Sequence, residues 1–192
     1  MANIDAPFGF VPVRMQGGAP FSGGQSEYTI SSTYGTNIFT GDIAIQAADG
    51  DIEVSAATST NNIGVFNGCF YTDSNGKPQY AKYWPASTTS TDAVAFIIDD
   101  PNVIFEAQED GSALALADRG TNTDLVATAG STTTGRSGHE IDSDETGSAA
   151  TAQFRVVAVS KDPSNNTVAS ANCNWYVKIL EHLNGPQSTA GI

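Results

Sequence analysis

A series of short, strand-like segments that begins at Glu27 constrains the fold of this chain more than any other feature. Apolar residues alternate with polar ones within these segments, in the pairs Tyr28 and Ile30, Ile43 and Ile45, and Ile52 and Val54. Turn-forming Gly and Asp residues separate the segments at 41–42 and 49–51. Alternation with a period of two is typical of strands that bury one face. The pattern therefore predicts antiparallel strands joined by tight turns.

The same pattern continues through the middle of the chain. Residues 63–73 form an apolar run in which Gly64 and Gly68 indicate a β-bulge or a close backbone approach. A Ser-Asn-Gly turn at 74–76 joins this run to residues 79–87. Two strand-like runs separated by such a turn predict a β-hairpin.

Further strands are expected toward the C-terminus, at 93–99, 103–108, 124–127, 152–160 and 174–183. One short helix is predicted at 112–118, within a long loop or insertion at about 111–150. About nine short strands at close spacing favour a small barrel or sandwich. The predicted fold class is therefore all-β and mainly antiparallel, with a single domain over residues 26–192.

Composition agrees with a β-rich body and excludes several kinds of partner. Charged residues make up only 15% of the 192 residues, whereas the exposed faces of helical bundles usually carry many. The chain has 21 acidic and 8 basic residues, which gives a formal net charge of -13. Nucleic acid and anionic membrane surfaces repel such a chain, so neither is an expected partner. The acidity serves solubility or a partner with a basic surface.

Residues 1–25 differ from the rest and are expected to form an extended N-terminal arm. Prolines and glycines recur throughout this segment, which destabilises both helix and long strand. If fully extended, the arm reaches roughly 80 Å, about twice the width of the body. We therefore expect it to leave its own subunit and to add a strand to an exposed sheet edge. Its expected contact residues are Phe8, Phe10, Val11, Val13, Arg14 and Phe21.

The cysteines and the lack of an export signal indicate the compartment. Cys69 and Cys173 are the only cysteines, and the sequence leaves open whether they pair. Cys69 lies in an apolar run, which favours a buried, reduced thiol. The N-terminal residues lack the pattern of a signal peptide, and no run approaches the roughly 20 apolar residues that span a bilayer. We therefore expect a soluble protein made in the cytoplasm.

The segment from Gly130 to Ser137 has the spacing of a phosphate-binding loop, G-x-x-x-x-G-K/R-S. A loop of that type needs a lysine for the phosphates and a following helix whose N-terminus faces them. Here Arg136 takes the place of the lysine, and no helical periodicity follows. The segment is therefore predicted to face solvent or a partner, with Thr134, Arg136 and His139 as contact residues.

Patterns for catalysis and metal binding are weak. The pair Asp99-Asp100 precedes Pro-Asn and is typical of a turn. His182 is expected at the surface or an interface, and no serine or cysteine lies in a nucleophile motif. Four carboxylates offer oxygen ligands for a hard cation such as calcium, without the twelve-residue calcium-loop pattern: Glu140, Asp142, Asp144 and Glu145. We therefore expect neither an enzyme nor a bound cofactor.

An aromatic group precedes Pro85, where a strand is expected to end. Its members are Tyr80, Tyr83 and Trp84. Such a group stacks on a sugar ring or anchors a protein contact. Tyr83 and Trp84 are the predicted surface anchors, and the alternative is that Tyr80 and one other ring pack in the core.

Several segments of the chain resemble a family of tailed-bacteriophage virion proteins. The resembling segments are MANIDAPFGFVPVR, EYTI, NIFTGD, GVFNGCFYTDSNGKPQYAKYWPAS, DDPNVIFEAQEDG, GSTTTGRSGHEID and VKILEHL. Together they cover nearly the whole chain. They are similar to small capsid-associated proteins of phages, including short-tailed phages of cyanobacteria and other aquatic hosts.

The resemblance implies a capsid decoration, or cement, protein that binds the outer surface of the major capsid protein lattice and stabilises the shell. Such proteins commonly sit as homotrimers at three-fold and quasi-three-fold positions. The chain is then expected on the outer capsid surface of the virion, after synthesis in the cytoplasm of the host bacterium. No active-site residue carries over from this family. The alternative is a carbohydrate-binding or host-attachment module of the virion, with Tyr83 and Trp84 as its stacking platform.

Overall fold

The computed structural model describes residues 2–144, 146–147 and 152–185. Within these residues the chain forms fifteen β-strands and one 3-10 turn. The strands are β1 (Val11–Met15), β2 (Ser26–Thr29), β3 (Ile38–Phe39), β4 (Ile43–Gln46), β5 (Ile52–Val54), β6 (Asn62–Thr72), β7 (Pro78–Ala81), β8 (Tyr83–Trp84), β9 (Val94–Ile98), β10 (Val103–Gln108), β11 (Asn122–Thr123), β12 (Leu125–Val126), β13 (Glu140–Ile141), β14 (Phe154–Val159) and β15 (Asn174–Ile179).

Five antiparallel strands form the first layer, in the order β1-β10-β15-β14-β11. Phe105 of β10 pairs with Val177 of β15, and both side chains are buried. Trp175, two residues before Val177, is buried on the same inner face. The side chains that alternate with them, Tyr176 and Lys178, face outward and are only half-buried.

The second layer is a six-stranded sheet in the order β2-β9-β6-β4-β5, with β7 paired to the far end of β6. The register of β6 against β9 shifts between Phe66 and Cys69, around Gly68. Gly64 has a φ of 149°, and an added Cβ there would lie 2.2 Å from the Ile98 carbonyl oxygen. Both glycines thus permit the bulge and the close strand approach that the sequence predicts. Two small antiparallel pairs, β3 with β8 and β12 with β13, complete the strands.

The two layers pack face to face as a sandwich. Val65 and Ile98 of the six-stranded sheet lie in the same buried cluster as Phe105 and Val177 of the five-stranded sheet. A second cluster on the six-stranded sheet includes Trp84. The all-β, mainly antiparallel sandwich expected from the sequence is therefore confirmed.

The predicted short helix is reduced to a 3-10 turn at Leu116–Asp118, within the expected 112–118. Leu114 is fully buried, and its N–H donates to a carboxylate oxygen of Glu109 at 3.0 Å, which fixes the chain before a helix could begin. The rest of the segment expected as a long loop carries β11, β12 and β13. Among the described residues, no helix has the length and apolar character needed to cross a membrane.

The N-terminal segment, residues 2–25, packs against its own chain, so the expectation that it leaves the subunit is wrong for this structure. β1 adds to the edge of the five-stranded sheet by antiparallel pairing with β10. Phe10 is 1% exposed, and its ring stacks on Phe154 with centroids 4.8 Å apart. The physical reason is that the chain's own sheet offers both a free edge and an apolar site for the ring.

Hydrogen bonds hold the beginning of this segment in place. The Asn3 side-chain amide donates to the carbonyls of Thr167 and Ala171, both at 3.0 Å. The Ile4 N–H donates to Asn165 Oδ1 at 2.8 Å, and the Ala6 N–H donates to a buried glutamine side chain, Gln108. Every one of these acceptors belongs to the body of the same chain.

Several predicted arm contacts are therefore parts of the fold. Phe10 is a core residue, while Phe8, Val13 and Phe21 are half-buried. Phe21 packs against the first core cluster. Val11 is 43% exposed, and Arg14 lies half-buried on the outer face of the five-stranded sheet.

Candidate functional site

The loop predicted to face a partner is divided between exposed and buried residues. Thr134 and Arg136 are exposed, as expected, whereas His139 is only 2% exposed. Backbone hydrogen bonds from Thr40 N to Gly135 O and from Ser137 N to Thr40 O hold the loop on the turn between β3 and β4. Because these bonds draw the chain inward immediately after Arg136, His139 does not reach the surface.

His139 fixes the inner end of this loop. Its Nδ1 accepts a hydrogen bond from the Ile43 N–H at 3.2 Å, and its Nε2 lies 3.5 Å from Asp42 Oδ1. Burial lowers the pKa of His139 to about 4 and raises the pKa of Asp42 to about 6. At neutral pH a neutral imidazole therefore faces a carboxylate, with the Nε2 proton directed at Asp42.

A serine beside this pair does not make it a nucleophile–base arrangement. Ser137 Oγ accepts a hydrogen bond from the His139 N–H at 2.9 Å. A general base needs an imidazole nitrogen free to take the serine proton. Here the Ile43 N–H occupies Nδ1, and Nε2 faces Asp42. The cluster therefore positions the loop: the imidazole is not a proton acceptor for Ser137, whose hydroxyl hydrogen-bonds to the Asp42 carboxylate.

Two glycines bring the N-terminal segment to the same place. An added Cβ on Gly9, which has a φ of 76°, would lie 2.4 Å from Ser137 Cβ and 2.6 Å from the Gly41 carbonyl oxygen. The Phe10 N–H donates to that carbonyl at 2.9 Å. We call the contact of Gly9, Gly41, Asp42, Ser137 and His139 the glycine junction. Three of the segments on which the phage resemblance rests therefore meet there.

The spacing that resembles a phosphate-binding loop has a packing explanation. The Ser131 N–H donates to the Arg136 carbonyl, and the Gly135 N–H donates to the Ser131 carbonyl. An added Cβ on Gly130 would lie 2.6 Å from the Phe39 ring. A phosphate-binding loop needs free backbone N–H groups. Here the N–H groups of Ser131 and Gly135 donate to carbonyls within the loop itself. After Ser137 the chain continues into β13 and not into a helix.

The most exposed aromatic side chain lies on the hairpin formed by β6 and β7. Tyr80 is 80% exposed, and its ring tilts against Phe70 with centroids 4.9 Å apart. Lys82, the residue that follows β7, is also exposed. Its stem packs against Gly135 of the loop. We call the surface of Phe70, Tyr80, Lys82, Thr134 and Arg136 the hairpin face.

The basic groups of the hairpin face have no acidic partner among the residues that the structure describes. Within the described residues, a charged-group approach of 4.0 Å or less occurs only between His139 and Asp42. Lys82 and Arg136 are therefore free to meet carboxylates on another molecule. An exposed ring beside free cations is typical of a protein-docking surface.

The predicted aromatic anchors are placed differently from expectation. Trp84 is fully buried in the second core cluster, edge-on to Tyr71 with centroids 5.3 Å apart, so its prediction as a surface anchor is wrong. Tyr83 is half-buried and stacked on Phe39. The reason is that β8 pairs with β3, which places Trp84 next to Ile38 in the second core cluster. Lys82, two residues after Tyr80, is the sequence signal that could have predicted the exposure of Tyr80, because lysine side chains usually face solvent.

Carboxylates gather at the far end of β10. Carboxylate oxygens of Asp110, Asp142 and Asp144 lie within 4.8 Å of one another, and we call these three the acidic cluster. Nearby, burial first and then the charges of Asp5 and Asp110 raise the pKa of Glu140 to about 7. Asp110 Oδ1 accepts hydrogen bonds from the N–H and hydroxyl of Ser143, so this oxygen is not free to bind a cation. Glu145, the fourth predicted ligand, lies outside the described residues.

The remaining titratable candidates have structural roles. Asp99 accepts from the Tyr28 hydroxyl at 2.8 Å, and Asp100 accepts from the Asn102 N–H, as a turn requires. His182 is 1% exposed, so its expected surface position is wrong. Cys69 and Cys173 are unpaired and buried. Burial raises the pKa of each thiol to about 12, which makes both poor nucleophiles.

Comparison with known proteins gives this chain no relative. No protein-family model, no curated protein and no solved structure matches it.

Proposed function

We propose that this chain is a capsid decoration protein of a tailed phage. It binds the outer surface of the major capsid protein lattice as a homotrimer and contacts the lattice through the hairpin face. One observation carries the proposal: Tyr80 is 80% exposed two residues before Lys82, whose stem contacts the loop that carries Arg136, on a chain of net charge -13. By contrast, the largest aromatic side chains, such as Trp84, Trp175 and Phe105, are fully buried.

The chemistry of the hairpin face suits a protein partner. Tyrosine and arginine are the residues that most often dominate binding energy, because a rigid ring or a planar guanidinium fills a pocket with little loss of entropy. Phe70 supports Tyr80 from behind and limits its motion. Lys82 and Arg136 favour a partner that presents carboxylates, and they set its orientation more than its affinity.

The charge of the rest of the molecule supports an outer position. A capsid interior holds DNA, and a chain of net charge -13 is repelled by its phosphates. The outer surface imposes no such cost. A contact of roughly 1,600 Å² repeated over many lattice sites stabilises a shell through avidity even when each contact is weak.

The mode of stabilisation differs from a flexible clamp. Because the N-terminal segment is a strand of its own sheet, the chain binds as a rigid body. No ordering of some 24 residues, at roughly 1 kcal/mol each, is then needed at the moment of binding. Rigid docking makes the affinity depend on a few side chains of the hairpin face.

Purified capsids that lack the protein test this proposal. The wild-type chain, Tyr80→Ala, Arg136→Glu and a control, Leu116→Ala, are added back, and binding is measured by co-sedimentation. Leu116 is 65% exposed but lies on the 3-10 turn, away from the hairpin. We expect Tyr80→Ala and Arg136→Glu to weaken binding by about 30-fold or more, whereas Leu116→Ala binds normally.

Shell stability is the second readout. Capsids with the wild-type chain should survive heating and low salt better than bare capsids, and capsids treated with Tyr80→Ala should behave as bare ones. Bare capsids that are equally durable, or a copy number of a dozen or fewer per virion, would contradict a decoration role.

A carbohydrate-binding or host-attachment module is the second candidate, because the exposed Tyr80 ring also offers a stacking surface for a sugar. Binding on a glycan array that Tyr80→Ala abolishes, together with no affinity for bare capsids, would favour it over decoration. The earlier expectation for Trp84 in this role is withdrawn, since that ring is buried.

A further inference from the structure

Three of the eight basic residues line one groove on the outer face of the five-stranded sheet. Arg14 of β1, Lys178 of β15 and Arg155 of β14 border a cavity of about 180 Å³. Ile104 and Val157 are among its apolar lining residues. We call it the cationic groove.

Strand register places these cations in one row across the sheet. Arg14 pairs with Ile104, and Lys178 pairs directly with Arg155. Like charges at directly opposed positions destabilise a sheet. Such a pair is unexpected in a chain with only 8 basic and 21 acidic residues.

Neutral acceptors do not neutralise the groove. Lys178 Nζ donates to Gln16 Oε1 at 2.6 Å, and Arg155 Nε donates to Asn122 Oδ1 at 2.7 Å. Arg14 donates to a backbone carbonyl. In the part of the chain that the structure describes, no carboxylate lies within 4.0 Å of any of the three. The groove therefore has a strong local positive charge that an external anion would offset.

Hydrogen bonds direct a neighbouring acid on the same sheet face away from the groove. Glu106 follows Ile104 by two residues and points to the same side. Its Oε1 accepts from Ser160 Oγ at 2.5 Å and from Asn174 Nδ2 at 3.2 Å. These bonds hold the Glu106 carboxylate toward the opposite end of β10.

We propose that the cationic groove binds the acidic cluster of a second copy of this chain. The groove has room for one or two carboxylate side chains and is far too small for a polymer. The acidic cluster presents three carboxylates within 4.8 Å of one another, and Asp144 is exposed. The two surfaces match in charge and in scale.

The contact joins two copies and cannot form within one. The groove lies at Ile104, near the start of β10, and the acidic cluster begins at Asp110, beyond its end. Six residues of extended chain separate them by about 20 Å. A rigid sheet cannot bring the two together.

The positions of these surfaces imply the symmetry. Two different patches that bind each other make a heterologous contact, which closes into a ring when the rotation permits. A three-membered ring is the homotrimer of the proposed function, so this inference rests on that proposal for the number of copies. The pairing itself is independent of the capsid.

Net charge does not prevent the assembly. Two chains of charge -13 repel one another at long range. At about 0.15 M salt, charges separated by more than about 8 Å are largely screened. The attraction between the cationic groove and the acidic cluster in direct contact then determines whether two chains associate. We therefore expect association at physiological salt and its loss near 1 M salt.

Charge reversal tests the pairing. One variant carries Arg155→Glu with Lys178→Glu, a second carries Asp142→Lys with Asp144→Lys, and a third carries all four changes. A charge-matched control carries Lys77→Glu with Lys161→Glu, both on exposed positions outside the two patches. Sedimentation velocity at 0.15 M salt measures the oligomer, and circular dichroism establishes that each variant is folded.

We expect the wild type and the control to form the same oligomer. Each double reversal should raise the dissociation constant by about 100-fold or more, and the fourfold variant should restore association. A monomeric wild type, or a groove reversal that leaves the oligomer unchanged, overturns the inference. A groove reversal that abolishes capsid binding while the oligomer persists also overturns it, because the groove then faces the capsid. Loss of the oligomer with capsid binding retained supports it and leaves the decoration role standing.

Discussion

The N-terminal segment and the β6–β7 hairpin share a mixture of aromatic residues, proline and glycine, but their aromatic rings differ in burial. Both place aromatic residues close to prolines and glycines. Phe10 of the first is 1% exposed, whereas Tyr80 of the second is 80% exposed. β1 joins the edge of a large sheet and carries Phe10 over Phe154. β7 pairs with the last residues of β6 and leaves the Tyr80 ring in solvent. Burial thus follows from what lies beneath a strand, and apolar composition alone does not decide it.

The largest expected effect that sharpens this comparison is at Phe10. Phe10→Ala leaves a cavity over Phe154 and should lower the free energy of unfolding by about 3–5 kcal/mol. Urea denaturation monitored by tryptophan fluorescence measures it. A loss below about 1 kcal/mol would mean that the N-terminal segment is only loosely attached to the body.

A pair of glycines in the same segment tests the glycine junction. Gly9→Ala places a methyl group 2.4 Å from Ser137 Cβ and should cost about 3 kcal/mol. Gly23→Ala is the matched control, because Gly23 also has a positive φ, 83°, but no atom within 4 Å of the added methyl. It should cost only about 1 kcal/mol. Equal costs from thermal denaturation of the two variants would argue against close packing at Gly9.

The acid–base pair of the junction predicts opposite pH dependences. The folded-state pKa of Asp42, about 6, lies above its ordinary value of 3.8, so the folded protein holds this proton more tightly. Asp42 therefore adds stability as the pH falls from about 6 to 4 and loses it as the pH rises through 6. The folded-state pKa of His139, about 4, lies below 6.5, so the unfolded chain binds that proton more tightly. His139 removes stability over nearly the same window as the pH falls.

In the wild type these two contributions nearly cancel between pH 6.5 and 4. His139→Gln should leave the Asp42 contribution exposed, so its stability relative to the wild type rises as the pH falls. Asp42→Asn should show the reverse. Melting temperatures at half-unit pH steps measure both slopes, and slopes of the same sign would refute the assignment.

The smallest expected effect is at Tyr80. Tyr80→Ala should change the free energy of unfolding by less than about 0.5 kcal/mol, because the ring is mostly in solvent. The same urea titration as for Phe10→Ala measures it. A loss comparable to that of Phe10→Ala would show that the hairpin is a part of the core and would end its assignment as a docking surface.

Most strands were predictable because their signals are local. The hairpin turn is an example: Asp73 Oδ1 accepts from the N–H groups of Asn75 and Lys77, so the turn is closed by its own residues. The sequence pattern likewise predicted the bulge at Gly68 and the first and last residues of β10. The predicted helix failed because Leu114 is buried in the first core cluster and its carbonyl accepts from the N–H of Ala169, a distant partner that no local window contains.

The candidate site was predicted only in part. Thr134 and Arg136 were placed correctly at the surface, whereas the burial of His139 in the same loop was not predicted. Trp84 was expected at the surface and is buried, whereas Tyr80 is exposed. The sequence did not predict this, because β3, which pairs with β8, lies about 45 residues away in the chain. The cationic groove was missed because Arg14, Arg155 and Lys178 come from three separate strands.

By itself, the sequence determined the all-β class, the antiparallel pairing and the acidic surface. Periodicity and turn residues are local signals, and net charge is the sum of the charged residues wherever they lie in the fold. Tertiary structure alone decided that the N-terminal segment closes on its own sheet, that Tyr80 projects while Trp84 is enclosed, and that three cations share one groove. The physical reason is that burial and charge proximity depend on which strands become neighbours, and that choice is made by the free energy of the whole packed chain.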